Sequence, residues 1–292
     1  MSTAVAGMSR NYWPFILPAL IAVLGVIVFP WIFTLYMSVH DWNVSGTVTF
    51  VGFENYQKLF TDQRFYEAVG HTLYFTVLAV VFPVGLGLAA ALTFHREFKG
   101  RGFLRGIFIM PMMATPVAVA LVWTMMFHPQ LGVLNYLLSL VGLPPASWVY
   151  NASTVIPTLV IVEIWHWTPL VMLIVLGGLA NLPSEPYEAA EIDGATAFQK
   201  FRHITFPLIL PNLMIALILR TIDALKAFDT IYVISQGGPG TASETMNIFL
   251  YLQAFAFFKL GYASAVVVIF FTVVILLSLL LLHVRQKTKW NV

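Results

Sequence analysis

The chain has 292 residues, 59% of them hydrophobic and 10% charged, with a net charge of +2 and no cysteine. Soluble domains carry about 25% charged residues, so this composition excludes a water-soluble globular protein and points to an all-α integral membrane protein. The charge is too small for a nucleic-acid binder, and without cysteine neither disulfides nor thiolate metal sites are available.

Six stretches approach or exceed the ~20 apolar residues that a helix needs to cross about 30 Å of hydrocarbon. The first runs from Tyr12 to Val39 and is punctuated by Pro14, Pro18 and Pro30. It is far longer than the apolar core of a cleavable signal peptide, so it is expected to stay attached. Ala68–Phe94 is the second and Ile107–Phe127 the third, with Arg96, Lys99, Arg101 and Arg105 between them. Thr154–Leu179 is the fourth, and Glu163 is its sole charge. The fifth, Pro207–Phe228, carries Arg220, Asp223 and Lys226 near its far end; the sixth is Gly261–His283.

Orientation is expected to follow the Lys and Arg of the short loops. Ten of them (Arg10, Arg96, Lys99, Arg101, Arg105, Lys200, Arg202, Arg285, Lys287 and Lys289) fall on one side, against Lys58, Arg64 and Lys259 on the other. This places both termini in the cytoplasm, and residues 40–67, 128–153 and 229–260 outside, the last with the turn-rich "SQGGPGTAS" at Ser235 to Ser243.

The longest polar interruption, residues 184–207, reads as two short helices joined by a bend. Ser184 is placed as an N-cap, Glu185 at the positive end of the helix dipole, Pro186 in the first turn, and Gly194 at the left-handed stop. Ala189 and Ala190 keep one surface low. Phe198 and Phe201 recur beside Lys200 and Arg202 until Pro207, which is expected to end or kink the element. On these features alone the segment is either a knob for a protein partner or an amphipathic linker lying on lipid.

The spacing Glu188-Ala189-Ala190, Asp193-Gly194-Ala195, Ile204 and Phe206-Pro207 resembles the EAA loop of permease subunits in binding-protein-dependent ABC importers, with Phe206 where the family usually has Leu. "FVGFENYQKLF" at 50–60, "GGLANLPSEPYEAA" at 177–190, "RTIDALKAFDTIYVISQGGPG" at 220–240 and "GYASA" at 261–265 are similar to the carbohydrate branch, the maltose and glycerol-phosphate type. The resemblance implies a single transmembrane permease domain over residues 1–292 with the six-helix type I importer fold. It also implies that residues 184–207 form a coupling helix docking on a separate cytoplasmic ATPase. The implied partners are a second permease subunit, usually a different chain, two ATPase subunits that bind ATP and Mg, and an external solute-binding protein. The chain itself has no Gly-Lys dipeptide and hence no phosphate loop, so it is expected to be a transport subunit rather than an enzyme, with no cofactor of its own. The implied location is a bacterial or archaeal cytoplasmic membrane.

Charged side chains within spans are costly and normally face an aqueous path or a partner. Glu163 lies in "VEIWHWTPL", where helical spacing puts it on one face with Trp167 and Leu170, beside His166. A carboxylate accepting from adjacent hydroxyls, with an indole face against sugar C–H groups, is the pairing that carbohydrate wants. The resemblance places sugar contacts at Glu163, His166, Trp167 and Leu170, at Asp223, Ala224, Lys226 and Ala227, and at Met112. A salt bridge from Glu163 to Arg220 or Lys226 is the alternative. Arg220, Asp223 and Lys226, three residues apart, are read as mutually neutralising neighbours with a structural or gating role. The histidines show no paired metal spacing. A neutral sugar or polyol fits better than a phosphorylated one, which would want more unpaired cations. A secondary carrier should show a repeat and an intramembrane enzyme a nucleophile motif; neither is found.

Overall fold

The computed structural model describes residues 13–42 and 46–287. Arg10, Tyr12 and Lys289 of the sequence reading, and both chain ends, lie outside the described residues. The chain divides into two compact units.

One unit comprises the residues up to Thr61 together with Gln253–Ile269. It opens with α1 (Trp13–Val23), a π turn at Leu24–Val28 and α2 (Phe29–Ser38), a 26-residue candidate span with no residue of α1 buried. Two short strands, β1 (His40–Trp42) and β2 (Val48–Phe50), pair antiparallel with His40 opposite Phe50. They are a small addition to an otherwise helical molecule. α3 (Glu54–Thr61) follows. Its buried Asn55 donates to the carbonyls of Ser38 (3.0 Å) and His40 (2.9 Å), and Tyr56 donates to the Ser38 hydroxyl (2.8 Å). These bonds satisfy carbonyls that the end of α2 leaves unpaired. Gly261 packs so tightly here that a Cβ would run into the His40 carbonyl.

The other unit holds Asp62–Leu252 and the chain from Phe270 onward. α4 (Gln63–His95) is capped by Asp62, whose carboxylate accepts from the Arg64 N–H at 2.9 Å. At 33 residues it extends about 50 Å and overruns the hydrocarbon. α5 (Arg101–Met113) and α6 (Pro116–Met126) then replace the expected straight third span with a pair bent by 98°. Pro116 is the cause: it drives Thr115 into the extended region (ψ 144°) and cannot donate backward into the preceding turn.

α7 (Val133–Leu140), α8 (Val155–Leu179), α9 (Glu185–Ile192), α10 (Ala197–Lys200), α11 (Phe206–Leu225), α12 (Asp229–Ser235) and α13 (Met246–Tyr251) complete the order. α14 (Leu260–Lys287) begins in the first unit and continues through the second. Among the described residues, five helices are long and apolar enough to span a membrane, six if the bent pair counts as one span.

Pro207 does not end its helix. It falls in the first turn of α11 directly after a π turn at Phe201–Thr205, as Pro30 follows the π turn of the first span. A π turn shifts the bonding register by one residue, which accommodates the missing proline donor without a break.

The helices approach closely through glycine: a Cβ on Gly87 of α4 would come within 2.6 Å of Val171 on α8, and one on Gly178 of α8 within 2.7 Å of Asn212 on α11. Two apolar clusters result, one around Phe75, Trp123, Phe127, Leu159 and Ile231, the other around Ala91, Met172, Val175, Ile209 and Leu213. Along α8 and α11 the clusters leave a gap, and the buried charges occupy it.

Candidate functional site

Glu163 on α8 and Arg220 on α11 fill that gap, 3% and 1% exposed. Arg220 Nη2 donates to Glu163 Oε2 at 3.0 Å and to the Ala79 carbonyl of α4 at 3.2 Å, so the pair ties three helices together. The guanidinium lies 5.0 Å from the centre of the Trp167 ring, within cation–π range. Its Nε and Nη1 have no hydrogen-bond partner. Two buried donors left open are costly, and Arg220 is among the residues that line a cavity.

That cavity measures about 250 Å³. Of the residues singled out from the sequence, Glu163, Trp167, Arg220, Asp223, Lys226 and Ala227 line it. Lys226 is exposed, and among the described residues neither it nor Asp223 takes part in an ion pair. The i,i+3 neutralisation expected of Arg220, Asp223 and Lys226 is therefore replaced by the bridge to Glu163. Glu163 thus pairs with Arg220 and also lines the cavity.

Met112, His166, Leu170 and Ala224 are not part of this lining. Ala224 is core, Met112 is half-buried on α5, and His166 turns aside, its Nε2 3.2 Å from the Ala114 carbonyl. That carbonyl is orphaned by the break before Pro116, so His166 serves the bend of the third span. Pro116, Phe228, Asp229 and Thr230 were not anticipated and do line the cavity. Pro116 arrives because the break turns the start of α6 inward. Thr230 arrives because the chain re-enters a helix at Asp229, directly after α11, and lies beside the Glu163 carboxyl.

The polar segment forms the expected two helices about Gly194, whose φ is +71°. Ser184 occupies the cap position of α9 without making a side-chain cap bond, and Pro186 sits in the first turn. Thr196 and Gln199 make a reciprocal capping box for α10, a signal carried by "TAFQ" that the sequence analysis does not use. Lys200 Nζ bonds Glu191 Oε1 at 2.9 Å across the bend. The hydrogen bond, and then the charge, of Lys200 hold the Glu191 carboxyl below the ordinary carboxylate range. Tyr187 and Thr205 hydroxyls meet at 2.9 Å, closing the base of the knob. Glu188, Ala189 and Asp193 are exposed; Ala190, Ala195, Ile204 and Pro207 are half-buried. Ile192 at 88% and Phe198 at 67% exposure present apolar side chains from the tips of the two helices.

On the far side from this knob, the glycine-rich loop is pinned rather than loose. Arg64 donates to both carboxylate oxygens of the buried Glu244 (2.8 and 3.1 Å), and Ser243 donates to the Gly238 carbonyl (2.7 Å). No local sequence signal marks that pairing, since its partners are 180 residues apart.

Residues 83–290 match the family described as binding-protein-dependent transport system inner membrane component. The chain is 38% identical over 247 residues to the trehalose/maltose transport system permease protein MalF of Thermococcus litoralis, covering 84% of this chain and 82% of that one. It is 33% identical over 252 residues to the sulfoquinovosyl glycerol transport system permease protein SmoG of Agrobacterium fabrum, covering 85% and 82%. Its fold is similar to a chain in the crystal structure of a bacterial ABC transporter involved in the import of the acidic polysaccharide alginate, with a TM-score of 0.84, 23% identity and 94% of each chain covered. By sequence and fold together, the chain belongs to the binding-protein-dependent transport system inner membrane components, as a multi-pass ABC transporter permease.

Proposed function

We propose that this chain is one of two permease subunits in an ATP-driven importer that takes a sugar or polyol from an extracytoplasmic binding protein and passes it to the cytoplasm. Residues 184–207 dock on one of two separate ATPase subunits, which bind ATP and Mg. The protein lies in the cytoplasmic membrane with both termini and this loop inside. The observation that carries the substrate reading is the cavity at Glu163, where carboxylates, a tryptophan face and a threonine hydroxyl converge beside a broken span. Such a set accepts hydrogen bonds from vicinal hydroxyls and covers a C–H face. The relatives from Thermococcus litoralis and Agrobacterium fabrum, named for trehalose/maltose and sulfoquinovosyl glycerol transport, support the same class.

For the coupling role, the support is the pair of strongly exposed apolar tips, Ile192 and Phe198, on the two helices of the knob. Exposed apolar side chains on a braced helix pair suit a protein groove.

A second reading, import of a phosphorylated polyol, is favoured by the open donors of Arg220 and the unpaired Lys226. One experiment separates the two. The complex reconstituted in proteoliposomes with its binding protein is offered neutral sugars, polyols and their phosphate esters, and ATP-dependent uptake is measured. Uptake of neutral compounds alone supports the first reading; uptake of only the phosphate esters replaces it with the second.

A further inference from the structure

A second cavity, of about 560 Å³, lies behind the knob rather than on its outer face. Its walls come from the last turn of α4, the end of α8 with its following turn, and the inner side of α9 and α10. These are the ends of three candidate spans, Gln63–His95, Val155–Leu179 and Ala197–Leu225.

The lining is divided by chemistry. Leu92, Leu179, Leu182 and Phe201 give it an apolar wall. His95, Arg96 and Lys200 supply the basic side chains, Ser184 and Tyr187 supply hydroxyls, and no carboxylate lines it. Arg96 caps α4 with an extended backbone and is exposed, with no ion pair to neutralise it. Arg101 adds a further cation alongside, its Nη1 3.4 Å from the carbonyls of His95 and Arg96. Lys200 is held by Glu191 through a single oxygen, which leaves two of its three donors open.

We propose that this cavity binds an anionic glycerophospholipid, its phosphate among Arg96, Lys200 and His95 and the start of its acyl chains against Leu92, Leu179 and Phe201. Basic pockets between transmembrane helices at the positively charged membrane face are suited to such headgroups. The apolar wall is what a free phosphate would not need. Because α9 and α10 form one side, the lipid braces the knob from behind, leaving the outer face with Ile192 and Phe198 for a protein partner. This goes beyond the import reading and needs only that α4, α8 and α11 span the membrane.

The test uses the assembled transporter in nanodiscs containing a trace of photoactivatable phosphatidylglycerol or photoactivatable phosphatidylcholine, with the labelled peptides mapped. Phosphatidylglycerol should label the peptides of residues 92–96 and 197–201 several-fold more than phosphatidylcholine. Arg96→Gln should cut that labelling about fivefold, the share one cation near the surface contributes, and Arg96→Lys should restore most of it. Because Arg96 is exposed, these variants leave packing intact, which the melting temperature checks. Equal labelling by the two lipids, or labelling indifferent to Arg96→Gln, would overturn the proposal. So would full protection by millimolar inorganic phosphate, which marks a soluble-anion site. Labelling of the lone chain that vanishes in the assembled complex means that a partner side chain fills the cavity, and it too overturns the proposal. Failure of sugar uptake with lipid labelling intact would instead count against the import reading alone.

Discussion

Glu163 and Arg220 form the most deeply buried ion pair among the described residues, and everything near them depends on both charges being present. Replacing Glu163 with Gln keeps the volume and one acceptor but strands the guanidinium, and breaking a buried pair in this way costs about 3–5 kcal/mol. The Ala79 carbonyl and the Trp167 ring remain to soften that cost. Glu163→Gln should therefore lower both the melting temperature of the purified complex and substrate uptake, whereas Trp167→Leu should lower uptake with a smaller change in melting. Unchanged uptake in both variants would remove this cavity from the transport path. A lone carboxylate in an apolar run was legible from the sequence as special, and Arg220 was one of its two named partners. Pro116 and Thr230 were not legible as neighbours. Their places follow from a 98° bend and from a helix restart, which depend on tertiary packing.

At the scale of elements, the knob is the part most fully written in local sequence. Gly194 has φ +71° with nothing within 4 Å of where its Cβ would be, so any penalty for substitution there is pure backbone strain. A β-branched residue in that conformation costs about 1–3 kcal/mol, while Asn tolerates it. Gly194→Val should uncouple ATP hydrolysis from uptake in the reconstituted complex, with the protein still inserted, and Gly194→Asn should retain coupling. Equal activity in the two would show that the bend carries no motion. The Glu191–Lys200 strut sets the angle of the same bend. The folded-state pKa of Glu191 is depressed, so the strut's contribution is present above the ordinary carboxylate range and is lost as pH falls through the lowered value. Spin labels at Ile192→Cys and Phe198→Cys should show a wider distance distribution at a pH well below the ordinary carboxylate range of about 4 than near about pH 7. Lys200→Gln should give the wide distribution at both. Neither the bend of the third span nor the passage of the helix through Pro207 was legible, for one shared reason: proline's consequence depends on what precedes it. An extended Thr115 makes Pro116 a break, while a π turn lets Pro207 pass.

For the whole molecule, the count and type of spans were readable because each needs only length and apolarity, and five intact spans plus one bent pair emerge. The division into two compact units was not readable, since it rests on contacts such as Gly261 against the His40 carbonyl, which join distant parts of the chain. Orientation has a physical basis that can be tested without any partner. Each Lys or Arg forced to a helix centre costs about 2.5–3.5 kcal/mol, so loops rich in them resist translocation, and the sequence reading assigns ten to one side against three to the other. The absence of native cysteine makes the experiment clean. Glu97→Cys, in the exposed basic turn after α4, and Gln130→Cys, in the exposed turn after α6, lie on opposite faces of the membrane if the bent pair is one span. A membrane-impermeant maleimide applied to intact cells should label Gln130→Cys at once and Glu97→Cys only after permeabilisation. The reverse pattern would place the knob outside, where no cytoplasmic ATPase could reach it. Labelling of both from one side would mean that α5 and α6 form a re-entrant loop, and the span count would be five.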